Sequence, residues 1–367
     1  MSNFVKTFLK GQSGSEIGLY LGEGLKSLND AIKGLQKGRL YYIASPPKTG
    51  KTTLVNYAFI LNPLLDAIKR NINIKYYYYS LELTRIDLEF DFVTYFLYSD
   101  FKIKEVEVGN KKIELSPDFL RGRIFDDEMT LIKVPESIQD KMKFIYKNKI
   151  IPLFGEYNEE GIKIKDGYIN VIETSDNPTG IFNFILSEAE KYGSFIEKKY
   201  GESLRKVGYI PNNPNDFKIV IFDHIRKVYS ERGFDEKRSI DKLSEYFVIL
   251  KRLLNWSFVG IVHLNRSLID IQRFKQFGDM LFPDSDMVKA SGNMAEDCDY
   301  LITMFNPNDE RYNLKRHFGK DIKDISGNPY FPNMRTIHLV ESRHCVYPQH
   351  FKVNMLGNVK DFQNFNK

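Results

Sequence analysis

The stretch that most constrains the fold of this chain runs from Tyr41 to Thr53 and reads YYIASPPKTGKTT. An apolar strand is followed by a short loop, and Gly50, Lys51 and Thr52 at the end of the loop open a helix. This arrangement builds a phosphate pocket, because loop N–H groups and the positive end of the helix dipole face the same point. The lysine is expected to contact the terminal phosphates, and the Thr52 hydroxyl is expected to hold Mg²⁺.

The loop departs from the usual pattern at one position. The pattern G-x-x-x-x-G-K-[ST] begins with glycine, whereas Ser45 stands there in this chain. The alternative interpretation is a GKT run that occurs by chance in a turn, but the strand before it and the helix after it favour a pocket. The predicted nucleotide-binding residues are Ser45, Pro46, Pro47, Lys48, Thr49, Gly50, Lys51, Thr52 and Thr53.

Composition sets broader limits. With 367 residues, of which 42% are hydrophobic, the chain can form one large domain or two modest ones and is not globally disordered. A net charge of +5 permits a nucleic-acid partner without requiring one. The two cysteines, Cys298 and Cys345, have neither metal-ligand spacing nor the pattern of a disulfide framework. No apolar run reaches transmembrane length, so we expect no membrane partner and a cytoplasmic location.

From Gly24 onward, apolar strands alternate with helical periodicity. Strands are predicted at Leu40–Ile43, Ile74–Tyr79, Ile169–Ile172, Lys218–Phe222, Phe258–Val262, Tyr300–Met304 and Thr336–Val340. Helices are predicted at Thr52–Ile60, Ile86–Tyr98, Ile181–Tyr200 and Ile240–Leu254. This pattern predicts an α/β fold with a mainly parallel, twisted sheet that helices cover on both faces. The tyrosine run 76–79 fits a strand whose side chains pack on both faces.

Several segments interrupt this alternation. Hairpin inserts are predicted near residues 101–117, around Gly109 and Asn110, and near residues 155–168, around Asp166 and Gly167. Residues 201–216 are predicted to form a loop. We expect residues 18–367 to form the main ATPase domain.

Residues 1–17 are predicted to form an N-terminal arm. Phe4 and Phe8 have helical spacing and give the arm an apolar stripe, which a flexible tether follows. The alternative is a frayed terminus.

A second nucleotide-binding element is predicted where the strand Lys218–Phe222 ends in Asp223. An apolar strand that ends in a carboxylate is the Walker B arrangement for Mg²⁺, although such strands also occur without function. The next residue is His224, whereas many ATPases place a catalytic glutamate there. Glu82 is the predicted substitute, since it follows another strand and should emerge at the same carboxyl edge, where it would polarise the attacking water. The alternative role for Glu82 is an N-cap of the next helix.

Six segments in this order resemble the core of DnaB-type replicative helicases: SPPKTGKTT, YSLEL, IVIFDHI, VGIVHLNR, SGNMAEDCDY and LVESRHC. The resemblance spans about Gly18 to Phe365 and is closest to the helicase half of phage primase-helicases and of the mitochondrial Twinkle enzyme. It implies a RecA-like P-loop core, ATP and Mg²⁺ as cofactors, and a hexameric ring that translocates on single-stranded DNA. It also implies phage or phage-like replication, hence the host-cell cytoplasm. Because neither a primase nor the extra DnaB domain fits before Gly18, we expect a primase or a helicase loader to act in trans.

The resemblance also implies roles for single residues. Glu82 matches the catalytic glutamate, and Lys51 and Asp223 match the two Walker positions. His263 matches a γ-phosphate sensor at a strand end, where a lone histidine would otherwise be interpreted as structural. Arg343 matches an arginine finger that enters the site of the neighbouring subunit and stabilises charge on the transferring phosphoryl group.

Residues 267–294 resemble the central DNA-binding loop of the same family. Lys289, Ser291 and Gly292 match its phosphate-contacting stretch, so they are the predicted DNA-binding residues. Contacts of this kind are independent of sequence and weaken with salt. Arg273 and Lys275 precede them, but basic residues in a loop are usually only solvated.

Two other classes of function stay open at this point. One is a RecA-, RadA- or KaiC-like ATPase of recombination or regulation, which would share the fold and the P-loop. The other is a non-catalytic relative kept for assembly or structure. Three departures from the family pattern would fit that second class, because Ser45 and Cys345 replace glycines and Glu341 replaces a lysine.

Overall fold

The computed structural model describes residues 5, 18–264, 277–289, 294–312 and 314–365. The apolar stripe predicted for the N-terminal arm, Phe4 and Phe8, lies outside the described residues, as do Ser291 and Gly292. Lys289 ends a short helix, and its side chain also lies outside the description.

Strands and helices alternate along most of the described chain. The strands are β1 (Leu40–Ser45), β2 (Ile74–Ser80), β3 (Glu105–Val108), β4 (Lys111–Glu114), β5 (Gly155–Tyr157), β6 (Lys163–Asp166), β7 (Ile169–Ile172), β8 (Gly193–Tyr200), β9 (Ser203–Pro211), β10 (Phe217–Asp223), β11 (Ser257–His263), β12 (Tyr300–Phe305), β13 (Arg316–His317), β14 (Lys320–Asp321), β15 (Met334–Ser342), β16 (Gln349–Leu356) and β17 (Asp361–Asn364). The α-helices are α1 (Lys26–Ile32), α2 (Lys51–Val55), α3 (Asn62–Lys69), α4 (Arg85–Phe101), α5 (Pro117–Leu120), α6 (Glu136–Ile145), α7 (Ile151–Phe154), α8 (Pro178–Glu190), α9 (Glu236–Leu254), α10 (Asp286–Lys289) and α11 (Met294–Asp297). Wider π-helical turns join α2 to α3 (Asn56–Leu61) and α6 to α7 (Tyr146–Ile150).

One nine-stranded sheet, in the order β17-β16-β15-β12-β1-β11-β10-β2-β7, organises the described chain. The six strands from β12 to β7 run parallel to one another, and β15, β16 and β17 extend the sheet with antiparallel pairing. The predicted mainly parallel α/β fold is confirmed, and each of the seven predicted strands is present. Because the central strands are parallel, their carboxyl ends meet at one edge, where ligands bind in open α/β sheets.

Apolar cores cover both faces of the sheet. Along β2, Tyr76 and Tyr78 join one core, while Tyr77 and Tyr79 join the other. This confirms the expectation that the tyrosine run packs on both faces, and it follows from the two-residue period of a strand. Tyr77 stacks on Trp256 with ring centroids 5.7 Å apart, so its large ring is used for packing.

The helix predicted over Ile181–Tyr200 is wrong in its second half. Helix α8 ends at Glu190, and the chain then forms the hairpin β8–β9, which also replaces much of the loop predicted for 201–216. Gly201 takes a φ of 61° in the turn, and Phe195 pairs across the strands with Tyr209 at 5.2 Å between centroids. A cross-strand aromatic pair stabilises a hairpin, and the helix-forming Lys and Glu residues of this segment masked that signal.

The two hairpins that the sequence predicted are both present, but only one turns at the predicted residues. The hairpin β3–β4 turns at Gly109 and Asn110, as predicted. The hairpin β5–β6 turns earlier than the predicted Asp166 and Gly167. Its turn is built by Asn158, whose side-chain oxygen accepts hydrogen bonds from the N–H groups of residues 160 and 162, and by Gly161 with a φ of 78°.

A chain of hydrogen bonds between neutral histidines ties the antiparallel strands together. His317 donates through Nδ1 to the carbonyl of Asp279 (3.1 Å) and accepts at Nε2 from the Thr336 hydroxyl (3.1 Å). That hydroxyl accepts from Nε2 of His338 (2.9 Å), whose Nδ1 lies 2.7 Å from Nδ1 of His350. The chain needs each ring uncharged, and burial lowers the pKa of His317 to about 4 against the weaker effect of the Asp279 carbonyl.

This arrangement predicts a stability that falls on acidification. The unfolded chain takes up a proton at His317 near pH 6.5 while the folded chain does not, so stability present above that pH is lost as the pH falls towards 4. Between pH 7 and pH 5 the wild type should lose about 2 kcal/mol more of its free energy of unfolding than the His317→Gln variant. Urea denaturation at both pH values measures this difference, and equal losses in the two proteins would contradict it.

Candidate nucleotide site

The loop after β1 has the backbone conformation that its sequence requires. Ser45 ends β1, and its hydroxyl donates to the Pro46 carbonyl at 2.9 Å. Its φ is not positive, whereas Lys48 and Gly50 have φ values of 61° and 107°. A serine therefore fits at the first P-loop position, because that position does not need the left-handed conformation that favours glycine.

Gly50 is the position where only glycine fits. A Cβ atom there would lie 2.5 Å from the Met355 sulfur, and the φ of 107° would be strained for any other residue. Gly50 caps the helical stretch that begins with α2 and runs through the π-helical turns into α3. The N-terminus of this helical stretch therefore lies at the loop. Its free N–H groups and the positive end of its dipole favour anion binding there.

The other loop positions differ in exposure. Pro46 and Thr49 are buried, and Pro47 and Lys48 are exposed. Thr53 is buried and lines a separate small pocket with Asp91 and Tyr95. The structure therefore places Thr53 beside that pocket rather than with the residues described next.

Thr52 and Asp223 meet at the carboxyl edge of the sheet. The Thr52 hydroxyl donates to Oδ2 of Asp223 at 2.8 Å, and the Tyr78 hydroxyl lies 3.3 Å from the same oxygen. Asp223 is only 2% exposed, and its burial raises its pKa to about 6, an effect that the Thr52 hydroxyl partly offsets. A hydroxyl beside a carboxylate supplies the oxygen ligands that Mg²⁺ prefers, so Thr52 and Asp223 fit this ion.

The Lys51 side chain lies among the same groups. Its burial lowers its pKa, while the charges of Asp223 and Glu82 act in the opposite direction. Two carboxylates therefore lie close enough to stabilise the ammonium. A buried cation at a helix N-terminus is arranged to receive an anion, as the sequence predicted for the phosphates.

Glu82 contacts a residue to which the sequence analysis gave no role. The carboxylate Oε1 of Glu82 lies 2.9 Å from Nε2 of His224. The N-cap of α4 is Thr84, which forms a capping box with Asp87, so the N-cap alternative for Glu82 is excluded. The signal that could have found this partner is the position of His224, directly after a strand that neighbours β2.

His263 lies beside His224 at the same edge. It is the partner of Ser45 in the β1–β11 register, and its ring centroid is 4.2 Å from that of His224 in an edge-to-face arrangement. Burial is the main cause that lowers the pKa of each histidine to about 4, and the Lys51 charge adds to it. Both rings are therefore neutral at pH 7.

Arg343 lies at the opposite edge of the sheet. Its N–H donates to the Asp299 carbonyl at 3.1 Å, and the Asp299 N–H donates to the carbonyl of Leu40, the first residue of β1. The phosphate loop follows the last residue of β1, five residues along the strand from Leu40. The Arg343 end and the loop end of this strand are therefore roughly 17 Å apart. The Arg343 guanidinium is exposed and contacts the Glu296 carbonyl. The structure therefore does not bring Arg343 together with Lys51 within one chain.

Within the ranges that the structure describes, no helix is both long enough and apolar enough to cross a membrane.

Comparison with known proteins gives structural relatives only. No protein-family model and no curated protein sequence matches the chain. The fold is similar to that of a DnaB-like replicative helicase described together with its interactions with primase, at 12% identity and a TM-score of 0.63. That match covers 99% of this chain and 66% of the other, so this chain spans less than two thirds of its length. The fold is also similar to a second solved structure, an ATPase domain, at 13% identity and a TM-score of 0.62, over 99% of this chain and 97% of the other. The chain therefore has the RecA-like α/β fold that these two structures share.

Proposed function

We propose that this protein is an ATP-driven, ring-forming DNA helicase that translocates on single-stranded DNA, in phage or phage-like replication. The observation that carries the proposal is the meeting of Lys51, Thr52, Asp223, Glu82 and His263 at one sheet edge. A phosphate-facing cation, a pair of magnesium ligands and a carboxylate base are the parts that ATP hydrolysis needs. The fold shared with a DnaB-like replicative helicase supports the choice of helicase among ATPases.

Each side chain has a role in this mechanism. The loop and Lys51 bind the phosphates of ATP. Thr52 and Asp223 would hold Mg²⁺, and the bound ion would supply positive charge beside the transferring phosphoryl group. Glu82 orients the attacking water and accepts its proton. His224, whose Nε2 lies 2.9 Å from Oε1 of Glu82, positions that carboxylate, and neutral His263 contacts the γ-phosphate.

Arg343 is proposed to act on the nucleotide of a neighbouring subunit. It is exposed at the edge opposite the phosphate loop, so it cannot reach the Lys51 site of its own chain. An exposed guanidinium that completes a neighbour's pocket supports a closed ring, which we propose to be a hexamer. A head-to-tail interface of this kind closes into a ring when the rotation between subunits allows it.

We further propose that Lys289, Ser291 and Gly292 contact the phosphates of single-stranded DNA. A primase or a helicase loader is the expected partner in trans. The helicase whose fold is similar was described with its interactions with primase, which supports this choice of partner.

The first prediction separates nucleotide binding from hydrolysis. Lys51→Ala should abolish ATP binding, whereas Glu82→Gln should keep binding and lose about tenfold or more of the turnover, since preorganised charges in such sites contribute several kcal/mol. Fluorescent-nucleotide titration and phosphate release measure the two steps. Lys69→Ala and Glu107→Gln, at exposed positions, are the matched controls. Normal turnover by Glu82→Gln would assign the base to another residue.

The second prediction concerns the ring. Arg343→Ala should bind ATP and hydrolyse it poorly, because charge on the transferring phosphoryl group loses its stabilising partner. When this variant is mixed into wild type, ATPase activity should fall more steeply than dilution predicts, and Arg252→Ala should show no such effect. A monomer with full ATPase activity at every protein concentration would contradict the proposal that Arg343 completes the site of a neighbouring subunit.

The third prediction concerns DNA and separates the classes of function. The chain should unwind a forked duplex catalytically, whereas a recombinase-like ATPase would only coat the single-stranded tail and a structural relative would ignore ATP. The logarithm of the affinity for single-stranded DNA should fall linearly with the logarithm of the salt concentration, with a slope of about −0.7 for each contacted phosphate. Lys289→Ala should make this slope less steep. Robust ATPase without unwinding, even with an added primase, would favour the recombination or regulatory class.

A further inference from the structure

A group of three potential metal ligands lies beside the magnesium ligands. The carboxylate of Glu82 and one ring nitrogen each of His224 and His263 lie within 4.8 Å of one another. The three residues follow or end β2, β10 and β11, which are adjacent in the sheet, so the parallel pairing itself brings them together. Elsewhere in the described chain no comparable group of three His, Cys, Asp or Glu residues occurs.

We propose that Glu82, His224 and His263 form a binding site for a divalent transition-metal ion of the Zn²⁺ or Co²⁺ type, separate from the Mg²⁺ site. The chemistry of the ligands separates the two ions. Two imidazole nitrogens and a carboxylate suit zinc, cobalt and nickel, whereas Mg²⁺ prefers oxygen ligands such as those of Thr52 and Asp223.

The separation of two of the three ligands fits such an ion. Zinc binds nitrogen at about 2.0–2.1 Å and carboxylate oxygen at about 2.0–2.2 Å, so neighbouring ligand atoms of a tetrahedral site are roughly 3.3 Å apart. The observed separation of 2.9 Å between Oε1 of Glu82 and Nε2 of His224 is close to this value. The Glu82 side chain is 40% exposed, so it has room to adjust. Three protein ligands leave a fourth position for water or a phosphate oxygen.

The second ring nitrogen of His224 indicates that the site binds its metal ion with moderate affinity. A histidine that binds a metal usually donates its other ring N–H to an acceptor, which strengthens the site. Nδ1 of His224 is buried and has no hydrogen-bond partner in the described structure. We therefore expect affinity in the micromolar range rather than a permanent structural ion.

A metal ion bound to Glu82, His224 and His263 would affect ATP hydrolysis, an inference that rests on the proposed function. A Glu82 carboxylate that binds the metal is a weaker base towards water, because the dication withdraws electron density from both of its oxygens. The metal ion would then inhibit ATP hydrolysis, and removal of the ion by a chelator would restore it.

Cobalt titration of the nucleotide-free full chain, with millimolar Mg²⁺ present, tests the site directly. We expect one Co²⁺ per chain with a visible absorption band, and about tenfold or greater loss of affinity in His263→Ala and in Glu82→Gln. His350→Ala is the control for a histidine far from the site, and Thr52→Val is the control for cobalt bound to the magnesium ligands. Thermal unfolding of each variant checks that it folds, and Glu82→Gln carries the test should His263→Ala not fold.

The outcomes are distinct. The absence of a band in wild type, or a band that persists in both His263→Ala and Glu82→Gln, overturns the inference. A band that is lost in Thr52→Val but kept in His263→Ala assigns the ion to the magnesium ligands and also overturns it. Because no nucleotide is present, cobalt binding by a chain without ATPase activity would contradict the proposed function and leave this site standing.

Discussion

The hydrogen bond between Thr52 and Asp223 is the contact on which the rest of the site depends. It joins the helix after the phosphate loop to the end of β10, across 171 residues of sequence. The pairing of β1 with β11 and of β11 with β10 sets the positions of these two residues. A carboxylate as deeply buried as Asp223 is costly unless hydrogen bonds or a cation stabilise it. The fold therefore keeps a polar contact at this edge that a nucleotide-bound Mg²⁺ can replace.

The carboxyl edge of the sheet brings positive, negative and neutral side chains together in the site. Lys51 supplies positive charge, and Glu82 and Asp223 supply negative charge. Buried His224 and half-buried His263 stay neutral, because loss of contact with water disfavours the charged ring. Neutral rings can orient a carboxylate or contact a phosphate without adding to the cationic charge of the loop. The chemistry of the site thus follows from the packing of three adjacent strand ends.

The geometry also separates two parts of the proposed active site. The phosphate loop follows the carboxyl end of β1, whereas Arg343 lies near the start of the same strand. A rigid sheet lies between them, and no side-chain rotation closes that distance. If Arg343 takes part in catalysis, it does so on another copy of the chain, and hydrolysis then requires assembly.

The central sheet was predictable because each buried parallel strand is a continuous apolar run that local composition reveals. The hairpin β8–β9 was missed because Lys and Glu residues in that segment favour a helix, while the aromatic pair of Phe195 and Tyr209 acts only across strands. The site was predictable in part, since Lys51 belongs to a local motif whereas the contact of Glu82 with His224 depends on which strands are neighbours. The acceptability of serine at the first P-loop position likewise depends on a backbone angle that only the structure provides.

A crystal structure of the chain with Mg²⁺ and a non-hydrolysable ATP analogue tests most directly whether this sheet edge is the nucleotide site. We expect the phosphates in the loop before Lys51, Mg²⁺ held between Thr52 and Asp223, and the γ-phosphate facing Glu82 and His263. A nucleotide bound elsewhere, or a Thr52–Asp223 hydrogen bond that persists with no ion beside it, would contradict this assignment.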